Sequence, residues 1–228
     1  MGVVCLIGAR KGSKRLPHKN KQEICGRKLY SIAVDAAVYS GIFSKIIVTT
    51  DDEDIIGGLS NFPEVMVDRR KEEFAGSQVV IWEVGVYILE KYSSDFEQTK
   101  DLCFITPCHP FRNSKHIREA YELYKSSGAD SLVSVTEFPA PIELAVKLDN
   151  GKVKRNWPGP VRKGNYEKSF FPNGAITFVK KEFLTRNIDV YSVNTIGYEM
   201  GWPYCLDIDH QQDLDLARTL ANEFLKSR

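Results

Sequence analysis

The sequence predicts an α/β protein with a doubly wound, mainly parallel sheet. Two observations carry this prediction. Short apolar runs typical of strands alternate with segments of helical periodicity along most of the chain. The first run, VVCLIGA at residues 3–9, is apolar without alternation, as expected of a strand covered on both faces. A parallel sheet with helices on both sides accounts for both observations.

The expected elements follow one another in a regular order. Strands are expected at residues 3–9, 45–50, 64–68, 101–106, 129–137, 173–179 and 204–209. Helices are expected at residues 29–41, 77–92, 113–128, 181–186 and 210–226, with a short acidic helix after Asp51. Gly41 and Gly128 end two of these helices, where glycine is a favoured C-cap.

The alternation breaks between residues 138 and 171. This stretch is rich in proline and contains an expected hairpin, LAVKLDNGKVKR, that turns at Asp149, Asn150 and Gly151. A β-rich insertion of this kind in an α/β domain is typical of a lid, a substrate lobe or an oligomer arm. We therefore expect residues 1–228 to form a single domain, with residues 138–171 as an inserted arm or lid.

The composition excludes several classes of function. The chain has 31 basic and 30 acidic side chains and a formal net charge of +1, which argues against nucleic-acid binding and membrane-surface binding. No run approaches the ~18 apolar residues of a membrane-spanning segment. The five cysteines are scattered and include no Cys-x-x-Cys pair, so a reduced, cytoplasmic protein is expected.

Positive charge is concentrated in the loop that follows the first strand. The dinucleotide fingerprint fails here because the third glycine is missing, and the P-loop fails because Ser13 and Lys14 follow Gly12 in reversed order. The loop nevertheless has a glycine, a hydroxyl and several cations that suit a polyphosphate. A solvated basic turn is the alternative. The candidate anion ligands are Arg10, Gly12, Ser13, Lys14 and Lys19, and Lys11, Arg15 and Lys21 are expected to be solvated.

Two carboxylates near the C-terminus form a candidate metal site. Asp207 and Asp209 are spaced by two at the end of an expected strand, so both can point to the same side of the sheet. Two oxygen ligands beside a polyphosphate suit Mg²⁺. The alternative is that Asp209 only caps the last helix. His18 and His109 lie in proline-flanked loops without a visible partner, so neither is assigned a catalytic role.

The string ARKGSKRLPHKN closely resembles the A-R-x-G-S-K-x-x-x-x-K-N signature of the CMP-sugar synthetases. These cytidylyltransferases activate N-acylneuraminic acid, related nonulosonic acids and Kdo. The stretches IIVTTDDEDI, PFR, PNGAI and DIDHQQDL follow in the order expected for that family. The resemblance implies a Rossmann-like nucleotidyltransferase, with CTP and a 3-deoxy-2-keto sugar acid as substrates, Mg²⁺ as cofactor, and a homodimer formed through the arm.

The resemblance also implies roles for individual residues. Arg69 aligns with an arginine that faces the nucleotide, and Arg70 is the alternative one position later. Asn20 would hydrogen-bond near the ribose or the cytosine. The implied nucleotide ligands are Arg10, Gly12, Ser13, Lys14, Lys19, Asn20 and Arg69, the implied metal ligands are Asp207 and Asp209, and the implied catalytic residues are Lys19, Arg10 and Asp209.

Departures from the family pattern concern the sugar. Thr106 stands where sialic acid synthetases usually carry glutamine, and Phe171 stands where they often carry arginine, two positions before Asn173. We expect Thr106, Phe171 and Asn173 to contact the sugar and Phe171 to favour an apolar or methyl-bearing portion. The alternatives are a nucleotidyltransferase for Kdo or another sugar or polyol phosphate, and a non-catalytic nucleotide-binding homologue.

Overall fold

The protein is described by a computed structural model that covers residues 2–156, 166–186, 189, 191 and 193–225. Its strands are β1 (Val3–Gly8), β2 (Glu23–Ile24), β3 (Arg27–Lys28), β4 (Phe43–Thr50), β5 (Val65–Arg69), β6 (Asp101–Ile105), β7 (Ser131–Glu137), β8 (Val146–Asp149), β9 (Lys152–Arg155), β10 (Phe170–Lys180) and β11 (Thr195–Glu199). Its α-helices are α1 (Leu29–Ser40), α2 (Glu53–Gly58), α3 (Ile81–Lys91), α4 (Ser114–Ser127), α5 (Lys181–Thr185) and α6 (Gln211–Phe224).

Seven strands form the central sheet in the order β11-β7-β10-β6-β1-β4-β5. β1 runs parallel to β4 and β6, β4 runs parallel to β5, and β11 runs parallel to β7. β10 is antiparallel to both of its neighbours, β6 and β7. The prediction of a mainly parallel α/β sheet is confirmed.

Both faces of the sheet are buried, which explains the continuous apolar run in β1. Successive side chains of a strand point to opposite faces. Cys5 and Ile7 therefore join the core beneath α1 and α4, whereas Val4 and Leu6 join the core beneath α3. Each face of β1 requires apolar residues, so no polar position can alternate with them.

The prediction of a strand at residues 204–209 is wrong. This stretch holds a turn followed by extended chain that pairs with no strand, although the amide of Ile208 donates to the carbonyl oxygen of Cys108 at 2.9 Å. Leu206 and Ile208 pack instead into a core cluster with residues of α6. The outermost strand on one side of the sheet is β11, which the sequence analysis did not predict. β11 packs closely on β7, since a Cβ added to Gly197 would lie 3.2 Å from Val135.

The predicted hairpin is confirmed as β8 and β9. Its turn residues Asn150 and Gly151 have φ angles of 49° and 78°, the left-handed conformation that tight hairpin turns favour. The part of the expected arm at residues 157–165 lies outside the described residues. Within the described part of the chain, no helix combines the length and hydrophobicity needed to cross a bilayer.

Candidate functional site

The candidate site lies at one edge of the sheet, where the parallel strands β1, β4, β5 and β6 end. The loops that leave the carboxyl ends of neighbouring parallel strands meet at the same edge, which is where open α/β sheets bind ligands. β10 runs in the opposite direction and therefore begins at this edge. The first loop, residues 9–22, thus lies beside the residues that follow β5 and β6 and those that open β10.

A buried guanidinium group lies beside the end of β1. Arg70 is 7% exposed, and its Nη2 donates to the carbonyl oxygen of Thr49 at 3.1 Å. A Cβ added to Gly8 would lie 3.1 Å from that same nitrogen, so the guanidinium covers the last residue of β1. Burial lowers the pKa of Arg70, and the nearby charge of Arg10 lowers it further, against the opposing effect of Asp51. The backbone amide of Ala9, the residue before Arg10, donates to the same carbonyl oxygen of Thr49 at 3.0 Å, so Arg70 lies beside the start of the first loop.

Arg69 lies elsewhere. Its side chain is 64% exposed and forms an ion pair with Glu53 on the outer side of α2. Because successive residues at a strand end point in opposite directions, only one of Arg69 and Arg70 can face the first loop. The structure brings Arg70 there, the alternative that the sequence left open, and leaves Arg69 at the surface.

The backbone of the first loop is braced by side chains. Asn20 is 8% exposed, and its amide donates to the carbonyl oxygen of Arg10 at 2.9 Å. The Nη1 atom of Arg10 donates to the carbonyl oxygen of Gly76 at 3.0 Å. The backbone amide of Lys11 donates to the Asp51 carboxylate at 2.7 Å. These bonds hold the loop against the segments that follow β4 and β5.

Other residues of the loop remain accessible. Lys14 is exposed and Ser13 is half-buried. A Cβ added to Gly12 would meet no atom within 4 Å, so the fold itself leaves space at this position. Lys21, by contrast, is paired with Asp52 at 3.0 Å and with Asp54.

A second charged centre lies at the other end of the first loop. Asp209 accepts from Lys19 at 2.9 Å and pairs with Arg15 at 2.8 Å. Burial lowers the pKa of Lys19. The opposing effects of the neighbouring Cys108 and Asp209 are larger in sum, so the pKa of Lys19 is raised. Burial would raise the pKa of Asp209, but its bond to Lys19 and the charges of Lys19 and Arg15 hold that pKa below its usual value. Arg15, expected to be solvated, is therefore a partner of Asp209.

Asp207 has a different environment from Asp209. Ligand atoms of Cys108, His109 and Asp207 lie within 4.8 Å of one another. Burial raises the pKa of the Cys108 thiol to about 12 and lowers the pKa of His109 to about 4. Among the described residues, Oδ1 of Asp207 and Nε2 of His109 are buried without a hydrogen-bond partner. Sequence reasoning missed this cluster because Asp207 is remote from Cys108 and His109 along the chain.

Thr106, Asn173 and Phe171 lie along the β6 and β10 side of the same edge. The Thr106 hydroxyl donates to the carbonyl oxygen of Gly174 at 2.9 Å. Asn173 is 9% exposed, and its amide nitrogen donates to the Thr136 hydroxyl at 2.9 Å. These bonds fix the start of β10 against the ends of its neighbours.

The aromatic ring of Phe171 remains partly open to solvent. Phe171 is 36% exposed, and its ring centroid lies 4.9 Å from that of Phe138. The residue is therefore available as one apolar wall of the edge at which Thr106 and Asn173 also lie.

The pairing of Lys19 with Asp209 predicts a pKa change. Replacing Lys19→Met removes the hydrogen bond and the nearest cation, so we expect the pKa of the Asp209 carboxyl to rise. Carboxyl ¹³C NMR titration of the two proteins measures this change. Lys14→Met, which removes an exposed cation from the same loop, should leave the Asp209 pKa where it is. An unaltered pKa in Lys19→Met would contradict the assigned pairing.

Comparison with known proteins identifies the family of this chain. The family model described as Cytidylyltransferase matches residues 4–226. The N-acylneuraminate cytidylyltransferase of Streptococcus agalactiae serotype V is 30% identical over 224 residues, which cover 93% of this chain and 52% of the relative. The pseudaminic acid cytidylyltransferase of Campylobacter jejuni serotype O:2 is 27% identical over 229 residues, which cover 96% of each chain. The chain thus spans about half the length of the streptococcal relative.

Solved structures share the fold at low sequence identity. The structure of CMP:2-keto-3-deoxy-manno-octonic acid synthetase complexed with CTP matches with a TM-score of 0.70 at 15% identity, covering 98% of this chain and 99% of that one. A 4-diphosphocytidyl-2C-methyl-D-erythritol synthase from Anaerococcus prevotii matches with a TM-score of 0.66 at 16% identity, covering 97% and 99%. The family resemblance read from the first loop is confirmed by the family model and the curated relatives: the chain belongs to the cytidylyltransferase family.

Proposed function

We propose that this chain transfers the cytidylyl group of CTP to a 3-deoxy-2-keto sugar acid of the nonulosonic class, giving a CMP-sugar and pyrophosphate. The observation that carries the proposal is the buried guanidinium group of Arg70 at the carboxyl edge of the sheet, beside the start of the loop that carries Arg10. Burial imposes a desolvation cost on this cation, and the positive charge of Arg10 adds repulsion. A bound polyanion such as a triphosphate would relieve both costs.

The reaction joins the sugar hydroxyl to the α-phosphorus. The anomeric oxygen forms the new P–O bond and loses its O–H bond, and the proton is released to solvent. The bond from the α-phosphorus to the bridging oxygen breaks, and pyrophosphate leaves with that electron pair. In this proposal Arg10, Lys14 and Lys19 bind the phosphates together with Arg70. Their fixed positive charge stabilises the negative charge that develops on the phosphoryl oxygens. Positioning of the two substrates supplies the remainder of the catalysis.

Arg10, Lys19 and Asp209 are proposed to act on the reacting phosphates, and Asn20 is proposed to act nearby. Asn20 orients the Arg10 backbone through its amide. Asp209 holds the Lys19 ammonium in place. Ser13 and Gly12 would contact phosphate oxygens from the accessible side of the loop.

The carboxylates fit a magnesium ion. Asp207 has a buried oxygen without a hydrogen-bond partner in the described part of the chain, the condition in which a carboxylate benefits from a cation. Asp209 is negatively charged and adjoins the same segment. We therefore infer that Asp207 and Asp209 hold Mg²⁺, which keeps several waters and binds through carboxylates and phosphates. When bound, the ion would neutralise charge on the phosphates.

The sugar pocket is proposed to accept an apolar substituent. Phe171 and Phe138 form an aromatic pair, and Phe171 stands where sialic acid synthetases often carry arginine. Thr106 and Asn173 would contact the polar side of the sugar. A 9-deoxy nonulosonic acid, with a methyl group in place of a hydroxymethyl group, suits this combination better than N-acetylneuraminate.

The cysteines support a reducing compartment. All five are free thiols, and Cys5, Cys103 and Cys108 are buried. Buried thiols behave as small apolar residues and need no oxidising environment. A cytoplasmic location is inferred on this basis.

A homodimer is proposed because the β8–β9 hairpin has an exposed apolar face. Leu148 is directly opposite Val153, and Val146 lies on the same face two residues earlier. Leu148 is 75% exposed and Val153 is 65% exposed. A two-stranded hairpin with an uncovered apolar face is marginally stable by itself, so a partner surface is expected. The arm of a single nucleotidyltransferase domain would supply this contact.

Pyrophosphate release tests the proposed activity. We expect release with CTP and a nonulosonic acid in the presence of Mg²⁺, with a larger kcat/KM for a 9-deoxy nonulosonic acid than for N-acetylneuraminate. ATP, GTP and UTP should be poor donors, and Kdo and polyol phosphates should be poor acceptors. The absence of release with CTP and every nonulosonic acid would overturn the proposal.

The adjacent arginines provide a matched test of the nucleotide site. Arg70→Met should raise the KM for CTP by about 10- to 100-fold, because a hydrogen bond to a charged group contributes roughly 1.5–3 kcal/mol. Arg69→Met removes an exposed ion pair and should change this KM by less than about twofold. Arg70→Lys keeps the charge but loses the planar fork, and should give an intermediate KM.

Far-UV circular dichroism and urea unfolding would establish that each arginine variant is folded. Equal KM values for Arg70→Met and Arg69→Met would remove Arg70 from the nucleotide site. A larger effect for Arg69→Met would restore the assignment read from the sequence.

The oligomeric state tests the role of the hairpin. The parent protein should sediment as a dimer, and the double variant Leu148→Lys/Val153→Lys should sediment as a monomer because two charges would be buried at the contact. Lys147→Gln lies on the opposite face of the hairpin and should remain dimeric. Sedimentation velocity over a range of protein concentrations measures all three. A monomeric parent, or a dimeric double variant, would refute the arm contact.

A further inference from the structure

Cys108, His109 and Asp207 form a compact group of metal-ligating side chains beside the proposed magnesium site. Their ligand atoms lie within 4.8 Å of one another. His109 is 1% exposed and Cys108 is 9% exposed, so this group lies beneath the surface of the edge. Cys108 and His109 take no part in the reaction proposed above.

The geometry matches a tetrahedral ion. The sulfur of Cys108 lies 3.6 Å from Nδ1 of His109. Bonds of about 2.3 Å to sulfur and about 2.0 Å to nitrogen, at a tetrahedral angle, separate the two atoms by about 3.5 Å. The Thr106 hydroxyl that now contacts Nδ1 also bonds to the Gly174 carbonyl oxygen, so it keeps one partner when the imidazole binds a metal.

The ligand types select a softer ion than magnesium. Mg²⁺ binds oxygen and keeps its waters, whereas thiolate and imidazole suit Zn²⁺ and Co²⁺. A thiolate, a carboxylate, a neutral imidazole and a divalent cation sum to zero charge. A neutral assembly carries little desolvation penalty in a buried site.

A buried carboxylate oxygen of Asp207 is a second, independent observation that points to a cation. Oδ1 of Asp207 is buried without a hydrogen bond in the described part of the chain, and such an oxygen costs free energy unless a donor or a cation meets it. Neighbouring Asp209 pairs with Lys19 and Arg15, so its oxygens have partners without a zinc-type ion. Asp207 is therefore the carboxylate that is available to complete the set.

We propose that Cys108, His109 and Asp207 bind a zinc-type divalent ion, with a fourth position left to water or substrate. Binding breaks the S–H bond of Cys108, forms the metal–sulfur bond, and releases one proton to solvent. Because the ion occupies Asp207, zinc would oppose the magnesium-dependent reaction. This consequence rests on the proposed function, whereas the metal site itself does not.

Binding of Co²⁺ and Zn²⁺ to the metal-free protein tests the site without an activity assay. We expect one equivalent of Co²⁺ to bind with a sulfur-to-cobalt charge-transfer band in the near ultraviolet. Cys108→Ala should abolish this band. Competition with a chromophoric chelator should show that Zn²⁺ affinity falls at least about 100-fold in Cys108→Ala and His109→Gln, because loss of a direct ligand exceeds the 10–100-fold effect of an outer contact.

Two control variants remove a thiol and an imidazole that lie outside the proposed zinc-type site. Cys25→Ala removes an exposed free thiol, and His18→Gln removes an exposed imidazole. Both should keep the cobalt band and the zinc affinity of the parent, and circular dichroism would establish that all four variants are folded. Persistence of the band in Cys108→Ala, its loss in Cys25→Ala, or equal zinc affinity in all proteins would overturn the proposal.

Discussion

The bond between Lys19 and Asp209 joins two charged stretches that lie at opposite ends of the chain. Lys19 belongs to the first loop and Asp209 precedes α6, and their side chains meet at 2.9 Å. The bond holds the first loop across the carboxyl edge of the sheet and keeps the Lys19 ammonium charged despite its burial. A loop held in this way presents its cations in fixed positions, which is the condition for electrostatic preorganisation.

The edge has a cationic end and an anionic end. Arg10 and Arg70 lie beside β1, whereas Asp207 and Asp209 lie where the chain enters α6. Lys19 lies at the anionic end, bonded to Asp209 and within electrostatic reach of both carboxylates. A triphosphate with its metal ion has the complementary distribution of charge, so the arrangement agrees with the proposed reaction more closely than any single residue does.

The direction of β10 determines where the sugar would bind. An antiparallel strand begins where its parallel neighbours end, and so the first residues of β10 meet the residue that follows β6. Thr106 and Gly174 are joined at this point. One reversed strand therefore brings the proposed sugar contacts to the edge at which the first loop also lies.

The sequence by itself predicted a mainly parallel sheet, the order along the chain of most elements and the family to which the first loop points. These features depend on local patterns: a strand buried on both faces must be apolar throughout, and the family signature is one short run of residues. The hairpin turn at Asn150 and Gly151 was predictable for the same reason, since its backbone conformation favours those residues.

Only the tertiary structure decided which side chains meet. Arg69 and Arg70 are adjacent in sequence, but the alternation of side chains at the end of β5 sends them to opposite sides. Asp207 joins Cys108 and His109, and Arg15 joins Asp209, through contacts between segments remote along the chain. The edge strand β11 likewise exists because β7 offers it a partner, and its own short sequence, with a central glycine, carries too weak a signal. Contacts of this kind depend on the path of the whole chain, which no local pattern contains.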